Sequence, residues 1–338
     1  MDSLMSHFQK KHLLTSTNQS YQRILDELFV FLTRNDHIGD ESTVKIFLAE
    51  EISSRTKKGV ISAKTACVVG GLEEVVYLTK KHTKLTPRAF TSDGNALKSE
   101  EKLLSLRGTA KDILSYERAL LNILQRMSGI ATETAKYVAT IKKLHMINPP
   151  LIAATRKTPW MHLDKKSVAV AGGVTHRLNL RDGILLKDNH LALLQQSRLT
   201  RSLRTEGEAI SYAIEHADIA DESIVIEVEV KSDEAAYAAV DTWRKRNLKN
   251  PFVIMLDNFT PERARKVIQA IRHPEFISGS KKMLNQVHHD KGGMVFFEAS
   301  GGITLENIKD FAKTGVDVIS IGALTHSPKA VDLSMDVY

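Results

Sequence analysis

Five cationic side chains stand where a ligand with several negative charges could bind. Each follows a short apolar run, at or just after the end of a predicted strand: Arg156, Lys157, His176, Arg177 and Lys187. Arginine offers a two-pronged donor to carboxylates and phosphates, and lysine offers a point charge. One such residue alone is usually solvated or salt-bridged, but the strand ends of a parallel barrel converge on one mouth. We therefore predict a single positive pocket for a ligand carrying carboxylates or phosphates.

Three carboxylates fall in the next two predicted strands. Within Ile-Glu-Val-Glu-Val, strand alternation puts Glu227 and Glu229 on one face, and Asp257 ends the following strand. A buried glutamate is costly unless it is paired or bound to a metal. We expect lysines of the barrel to pair with Glu227, and we expect Glu229 and Asp257 to hold Mg²⁺ with phosphate oxygens and water. Pairing of lysines with both glutamates is the alternative.

Glycine-rich turns follow the last two predicted strands. Ser300-Gly301-Gly302 ends one strand, and Gly322-Ala323 ends the other. Such turns can present backbone N–H groups to a phosphate. A lone Gly-Gly pair is usually only a turn, but its repetition on consecutive strands predicts a phosphate site.

A repeating order of apolar runs and helical segments must position these residues. Seven runs after residue 148 are predicted strands: Leu151–Thr155, Val168–Ala171, Gly183–Leu186, Ile224–Val230, Phe252–Leu256, Val295–Ala299 and Val316–Ile321. Helical segments lie between most of them, which indicates parallel β/α units with right-handed crossovers. A doubly wound open sheet would also place ligands at the strand ends. We prefer a barrel because polar or glycine-rich residues follow one strand after another.

Pattern and composition divide the chain into parts. Residues 1–20 are polar and are predicted to form a loose tail or a frayed helix, residues 21–147 mix helices with short strands, and residues 148–324 form the predicted barrel. We expect segment 325–338 to join the N-terminal domain. Residues 273–293 are predicted to be a long polar surface loop.

Composition narrows the class of protein. The chain has 338 residues, 42% apolar and 26% charged, which is typical of a globular protein of about two domains. The single cysteine, the absence of a membrane-spanning apolar run and the lack of a signal-type N-terminus favour a cytoplasmic protein. The net charge of +7 is scattered rather than clustered, which favours small anionic substrates over nucleic acid. Motifs for dinucleotides, P-loop ATP and structural zinc are absent from the sequence.

Taken in order, these residues resemble the quinolinate phosphoribosyltransferase family over roughly residues 35 to 335. The matching stretches are Tyr116–Thr132, Thr155–Thr158, Gly172–Arg177, Leu186–His190, Glu227–Val230, Leu256–Asn258, Glu298–Ile303 and Ile321–His326. The resemblance implies an α/β fold, with an α/β sandwich N-terminal domain and an incomplete seven-stranded parallel barrel. It also implies a homodimer or higher homo-oligomer. The implied reaction transfers phosphoribose from 5-phosphoribosyl-1-pyrophosphate to quinolinate, releasing CO₂ and giving nicotinate mononucleotide for NAD biosynthesis.

The resemblance assigns roles to individual residues. It implies catalytic roles for Lys157, Lys187, Glu229 and Asp257, of which the two acids would hold Mg²⁺. Arg118 would reach into the site of the neighbouring subunit. The other implied substrate-binding residues are Thr155, Arg156, His176, Arg177, Ser300, Gly301, Gly302, Gly322 and Ala323, the last five around the 5′-phosphate.

Three places depart from the usual family pattern. Ala154 stands where an aspartate is usual, Thr175 replaces the usual asparagine, and the loop Thr158–His162 differs from Thr-Thr-Pro-Gly. These departures bear on the choice of acceptor more than on the class of reaction. A same-fold transferase for nicotinate, a molybdenum-transport-associated relative and a catalytically silent ligand-binding scaffold are the alternatives.

Overall fold

A computed structural model describes most of the chain, and its contacts divide into two compact units. The described residues are 5, 7–38, 42–197, 200, 202–219, 221, 224–273 and 295–338. The barrel unit comprises Met1–Phe8, Ala139–Ala153 and His176–Ile321, and the antiparallel unit comprises Gln9–Val138, Ala154–Thr175 and Gly322–Tyr338. The boundaries predicted at 20, 147 and 324 stay a prediction, and nearly all of the predicted loop 273–293 lies outside the described residues.

Strands and helices alternate along the described chain. The strands are β1 Thr56–Ala63, β2 Cys67–Val68, β3 Thr86–Ala89, β4 Ala96–Leu97, β5 Lys102–Thr109, β6 Leu151–Ala154, β7 Ile184–Leu186, β8 Ile226–Val230, β9 Phe252–Asp257, β10 Val295–Ser300, β11 Val318–Ile321 and β12 Leu333–Val337. The α-helices are Gln19–Asn35, Ser42–Phe47, Glu50–Ser53, Leu72–His82, Ala110–Lys142, His162–Val170, Asp188–Gln196, Glu206–Glu215, Asp233–Lys245, Pro261–Arg272, Ile308–Ala312 and Ala323–His326, with a 3₁₀ turn at Lys11–Leu13. No helix in the described part of the chain combines the length and the apolar character needed to cross a membrane.

The barrel unit is built on a parallel sheet. Within the described residues it has six strands in the order β6-β11-β10-β9-β8-β7, so β6 and β7 are its two edges. Trp243, on the helix after β8, stacks on Phe252 of β9 with ring centroids 5.2 Å apart. Even-numbered positions of β9 therefore face the helices, and odd-numbered positions face the interior of the curved sheet. This arrangement confirms the predicted α/β fold with an incomplete parallel barrel.

One predicted strand is wrong. The run Val168–Ala171 lies at the end of the helix His162–Val170, in which seven consecutive residues from Leu163 to Ala169 are buried. A short apolar run bounded by glycine can be a buried strand or a piece of buried helix, and periodicity does not distinguish them. The six-stranded sheet of the described residues therefore lacks the seventh predicted member.

The antiparallel unit is organised around a second sheet and one long helix. The sheet has the order β12-β1-β5-β3, and β12 pairs with β1 so that Val337 lies opposite Gly59. The helix Ala110–Lys142 runs without a break through Ser128-Gly129, although glycine disfavours a helix interior. A Cβ on Gly129 would overlap the backbone carbonyl oxygen of Lys329, so glycine serves here to admit a neighbouring chain segment.

The N-terminal segment is packed rather than loose. Phe8 and Leu14 are fully buried within residues that were predicted to form a tail. In the antiparallel unit, the Leu14 carbonyl accepts a hydrogen bond from the buried Lys166 ammonium, and the Ser16 backbone N–H donates to Glu73 at 2.6 Å. The polar composition of residues 1–20 did not indicate this packing, because only a few apolar side chains and backbone groups anchor the segment.

Candidate active site

Two predicted catalytic groups meet at the carboxyl ends of β7 and β8. Leu186 is in register with Val228, so the next residues, Lys187 and Glu229, project side by side. The Lys187 ammonium lies 3.0 Å from the Glu229 carboxylate, whose side chain is only 11% exposed. A half-buried ion pair at the rim of the sheet can hold one charge fixed while the lysine still reaches solvent or a ligand.

A third carboxylate lies on the same face. Glu229 is in register with Met255, and Asp257 follows Met255 by two residues, so strand alternation aligns Glu229 with Asp257. Ser300 lies opposite Asp257 on the neighbouring strand. The hydrogen bond that Lys231 donates to Asp188, together with the charges of Asp257 and Glu229, raises the pKa of Lys231. This edge of the barrel unit is therefore acidic.

Hard carboxylate oxygens at adjacent strand ends are the donor type that Mg²⁺ prefers. Glu229 and Asp257 fit such an ion chemically, because each presents a carboxylate at the same rim. The expectation that a lysine pairs with Glu227 is wrong, because the cationic group beside Glu227 is His176.

His176 is held between two buried carboxylates beneath this rim. Its Nε2 lies 3.2 Å from Glu298 and 3.6 Å from Glu227. His176 also has a left-handed backbone with φ 53°, which is uncommon for a residue with a side chain and is frequent at functional sites. Burial lowers the pKa of His176, but the two carboxylates outweigh this effect and raise it to about 9.

His176, Glu227 and Glu298 form a buried triad of titratable groups. Burial and the neighbouring Glu298 raise the pKa of Glu227, whereas His176 lowers the pKa of Glu298 in spite of burial. The backbone N–H of Arg177 donates to His176 Nδ1 at 2.7 Å, so Nδ1 is an acceptor in this geometry. The His176 ring therefore lies between the Arg177 N–H and the two carboxylates. The raised pKa belongs to the triad as a coupled unit.

The triad also has the composition of a metal site, since its ligand atoms lie within 4.8 Å of one another. In this structure His176 Nε2 faces both carboxylates. Charge pairing therefore accounts for the three side chains.

The glycine turn after β10 closes on the same rim. Gly301 and Gly302 have φ values of 89° and 62°. A Cβ on Gly301 would overlap the Asn258 side-chain oxygen, whereas a Cβ on Gly302 would meet nothing within 4 Å. Gly301 thus permits a close packing contact, and the exposed Gly302 leaves its backbone open to a ligand such as a phosphate.

In the antiparallel unit, the structure brings Lys157 and Gly322 together. The Thr325 hydroxyl donates to the Lys157 carbonyl at 2.8 Å, and a Cβ on Gly322 would lie 3.6 Å from the Lys157 side chain. Thr155 accepts a hydrogen bond from the Lys157 backbone N–H at 3.2 Å. Ala323 is exposed beside this turn.

Two predicted arginines contribute differently. The Arg156 Nε is buried and has no hydrogen-bond partner among the described residues, so a ligand anion would satisfy it. Arg118 is exposed on the long helix, as a residue that serves another subunit must be. Its cross-subunit role stays a prediction, and so does the gathering of all five predicted cations in one pocket.

An ion pair that the sequence did not indicate, between the half-buried Arg126 and the buried Asp164, anchors the Lys157 loop. Arg126 donates two hydrogen bonds to Asp164, at 2.8 and 2.7 Å, and one to the Thr325 carbonyl at 3.1 Å. The Thr158 hydroxyl also donates to Asp164, which is fully buried. Asp164 begins the polar stretch Asp164-Lys165-Lys166-Ser167, whose composition gives no sign that these side chains are buried.

Comparison with known proteins places this geometry in a family. The family models described as quinolinate phosphoribosyl transferase N-terminal domain and C-terminal domain match residues 41–128 and 130–336. A probable nicotinate-nucleotide pyrophosphorylase (carboxylating) of Methanocaldococcus jannaschii is 36% identical over 283 residues, covering 83% of this chain and 86% of the relative. The corresponding enzyme of Mycobacterium leprae is 34% identical and covers 72% of each chain.

A solved structure supports the same assignment. The crystal structure of NadC from Streptococcus pyogenes has a TM-score of 0.69 and 29% identity, and covers 93% of this chain and 97% of its own. Two consecutive domain models, relatives matched over most of their length and a matching fold agree with the acids and cations at the strand ends, so the chain belongs to the quinolinate phosphoribosyltransferase family.

Proposed function

We propose that the chain transfers the phosphoribosyl group of 5-phosphoribosyl-1-pyrophosphate to quinolinate. The products are nicotinate mononucleotide, pyrophosphate and CO₂, and the pathway served is NAD biosynthesis. The observation that carries the proposal is the match of both family domains in order, over residues 41–128 and 130–336. The Lys187–Glu229 ion pair and the unpartnered Arg156 Nε add the charge pattern that the substrates require.

In the proposed reaction, pyrophosphate leaves C1′ with the bonding electrons. The lone pair of the pyridine nitrogen forms the new bond to C1′, and the ring then loses the adjacent carboxylate as CO₂. The electrons left on the ring carbon take up a proton. Glu229 and Asp257 stabilise the positive charge that develops on the ribose. Catalysis of this kind rests on positioning and fixed charge.

The cations serve the anionic parts of the substrates. Arg156, His176 and Arg177 would bind the quinolinate carboxylates, and Lys157 and Lys187 would neutralise the pyrophosphate and the carboxylate near the reacting bond. Thr155 and the turns at Ser300–Gly302 and Gly322–Ala323 would bind the 5′-phosphate and its neighbours through hydroxyl and backbone N–H groups.

Mg²⁺ and a second subunit complete the proposal. Glu229 and Asp257 would hold the ion, which supplies positive charge to the pyrophosphate oxygens when bound. The exposed Arg118 would enter the site of a second copy of the chain in a homodimer or larger homo-oligomer. A cytoplasmic location is also part of the proposal, and cell fractionation tests it.

The deciding experiment incubates the protein with carboxyl-labelled quinolinate, phosphoribosyl pyrophosphate and Mg²⁺. We expect labelled CO₂ and nicotinate mononucleotide in equal amounts. Nicotinate mononucleotide formed from nicotinate, without CO₂ release from quinolinate, would indicate the same-fold alternative. Saturable binding of quinolinate without any product would indicate a silent scaffold.

Replacement of Lys187 by alanine tests the assigned chemistry. Loss of one preorganised charge should lower kcat by about 10²- to 10³-fold. Lys249 is an exposed lysine outside the site, so Lys249→Ala is the matched control and should keep wild-type kcat. Full turnover by the Lys187→Ala enzyme would remove Lys187 from the mechanism.

A further inference from the structure

A segment outside both family matches contacts the buried histidine of the site. The family-model matches begin at residue 41, yet Phe8 is fully buried and lies on His176. The two ring centroids are 4.6 Å apart and the planes meet at 90°, an edge-to-face contact. Aromatic pairs favour this geometry because the positive ring edge meets the negative face of its neighbour.

The neighbouring residue packs beside the open edge of the barrel sheet. A Cβ on Gly183, just before the edge strand β7, would lie 2.7 Å from His7 Cε1, so glycine leaves the space that His7 occupies. The His7 and His176 rings also approach, with centroids 6.5 Å apart. Exposed sheet edges are commonly covered by another segment. His7 therefore packs against the chain just before this edge strand.

A second contact of the segment involves a residue that departs from the family pattern. In the antiparallel unit, the Lys10 backbone N–H donates to the Thr175 hydroxyl at 3.1 Å. Thr175 replaces the asparagine that is usual before the His-Arg pair. The N-terminal segment and residues 175 and 176 are thus joined by a hydrogen bond in one unit and by ring packing in the other.

We propose that Phe8 is a positioning residue for His176 in the phosphoribosyl transfer. His176 has a strained left-handed backbone, so its ring orientation depends on what surrounds it. Glu298 and Glu227 fix Nε2 from one direction, the Arg177 N–H fixes Nδ1, and Phe8 packs against the ring itself. The proposal rests on the proposed function, in which His176 binds the quinolinate carboxylates.

The kinetic test compares Phe8→Ala with Phe31→Ala. Phe31 is 62% exposed on the helix Gln19–Asn35 and provides a matched loss of an aromatic side chain. A misplaced binding group can cost up to about 10²-fold, so we expect kcat/KM for quinolinate to fall by about 10- to 10²-fold in Phe8→Ala, mostly through KM. In Phe8→Ala, the KM for phosphoribosyl pyrophosphate should stay within about twofold of wild type. In Phe31→Ala, the KM values for both substrates should stay within the same range. A purely structural defect would instead lower kcat and leave both KM values unchanged. That result would overturn the proposal.

A spectroscopic test separates this proposal from the proposed function. In ¹⁵N-histidine-labelled protein, Phe8→Ala should shift the imidazole signals of His176, assigned with His176→Asn, and Phe31→Ala should not. Unchanged His176 signals in Phe8→Ala would overturn the positioning role. If the wild-type protein makes no nicotinate mononucleotide, the proposed function fails while the spectra still decide the contact. Phe8→Leu, which keeps most of the apolar volume, carries the same expectations if Phe8→Ala does not fold.

Discussion

Single residues of this site are defined by backbone geometry as much as by side-chain chemistry. Gly301 and His176 both have left-handed backbones, one with no Cβ and one with an imidazole between two carboxylates. Gly301 closes a packing contact with Asn258, and His176 presents its ring to Glu298. Strain at such positions persists because the surrounding contacts over-determine it.

Gly301→Ala should damage the phosphate turn, whereas Gly302→Ala should not. Both residues have positive φ, so each alanine costs about 1 kcal/mol or more in backbone strain. Only the Gly301 Cβ would overlap Asn258, which must then move. We expect the KM for phosphoribosyl pyrophosphate to rise about tenfold in Gly301→Ala, a cost of about 1.4 kcal/mol in binding. Steady-state kinetics of the two variants, measured side by side, check this difference, and equal KM values would contradict it.

At the scale of elements, the helix His162–Val170 links the loop of Lys157 to the core. Its buried Asp164 accepts hydrogen bonds from Arg126 on the long helix and from Thr158 in the loop. Trp160 lies beneath the Arg126 guanidinium at 5.3 Å from the ring centroid. Two helices and one cationic loop are therefore held by a single carboxylate.

Asp164→Asn should destabilise the protein and weaken catalysis together. Removing one partner of a buried ion pair leaves an uncompensated charge, which costs about 3 kcal/mol. Asp241, which pairs with Lys245 on the surface and is 54% exposed, offers the control Asp241→Asn, for which we expect less than about 0.5 kcal/mol.

Urea unfolding measures the free energy of unfolding of both variants. The value of kcat/KM shows whether the loop that carries Lys157 is still correctly placed. Stability of Asp164→Asn equal to that of Asp241→Asn would contradict the anchoring role of Asp164.

At the scale of the whole molecule, the repeat of strand and helix was the feature most readable from the sequence. Parallel strands with polar ends, such as β8 with Glu229 and β9 with Asp257, carry both their fold and their chemistry in one short stretch. The helix His162–Val170 was not predicted, because its buried residues include Asp164, Lys165, Lys166 and Ser167, so its sequence shows no apolar face at helical spacing.

The partners of the charged residues were also not predictable. Glu227 and Glu229 have the same sequence environment, yet one faces His176 and the other Lys187. Strand register decides between them, and register depends on contacts between residues far apart in sequence. The anchoring of Phe8 by His176, 168 positions further along the chain, is another such contact.

Two buried groups set how the stability of the molecule depends on pH. Burial and the charge of Asp93 raise the pKa of Glu74 from 4.5 to about 7, and the two carboxylates raise that of His176 from 6.5 to about 9 despite burial. In both cases the folded chain binds more protons than the unfolded chain between the two pKa values. The free energy of unfolding contributed by Glu74 therefore falls as pH rises from 4.5 to about 7, and that of the His176 triad falls from pH 6.5 to about 9.

Glu298→Gln should reduce the pH dependence of the free energy of unfolding between pH 6.5 and about 9. Glu74→Gln should reduce it between pH 4.5 and about 7. Loss of the Glu298 charge removes the largest influence that raises the pKa of His176, whose contribution in wild type is on the order of 3 kcal/mol below pH 6.5. Glu74→Gln keeps the hydrogen bond from the Tyr21 hydroxyl while it removes the titrating group. Urea unfolding of the three proteins at intervals from pH 4.5 to 9.5 measures the slopes. A Glu298→Gln protein that loses stability between pH 6.5 and 9 as steeply as wild type would show that the buried triad does not hold the extra proton.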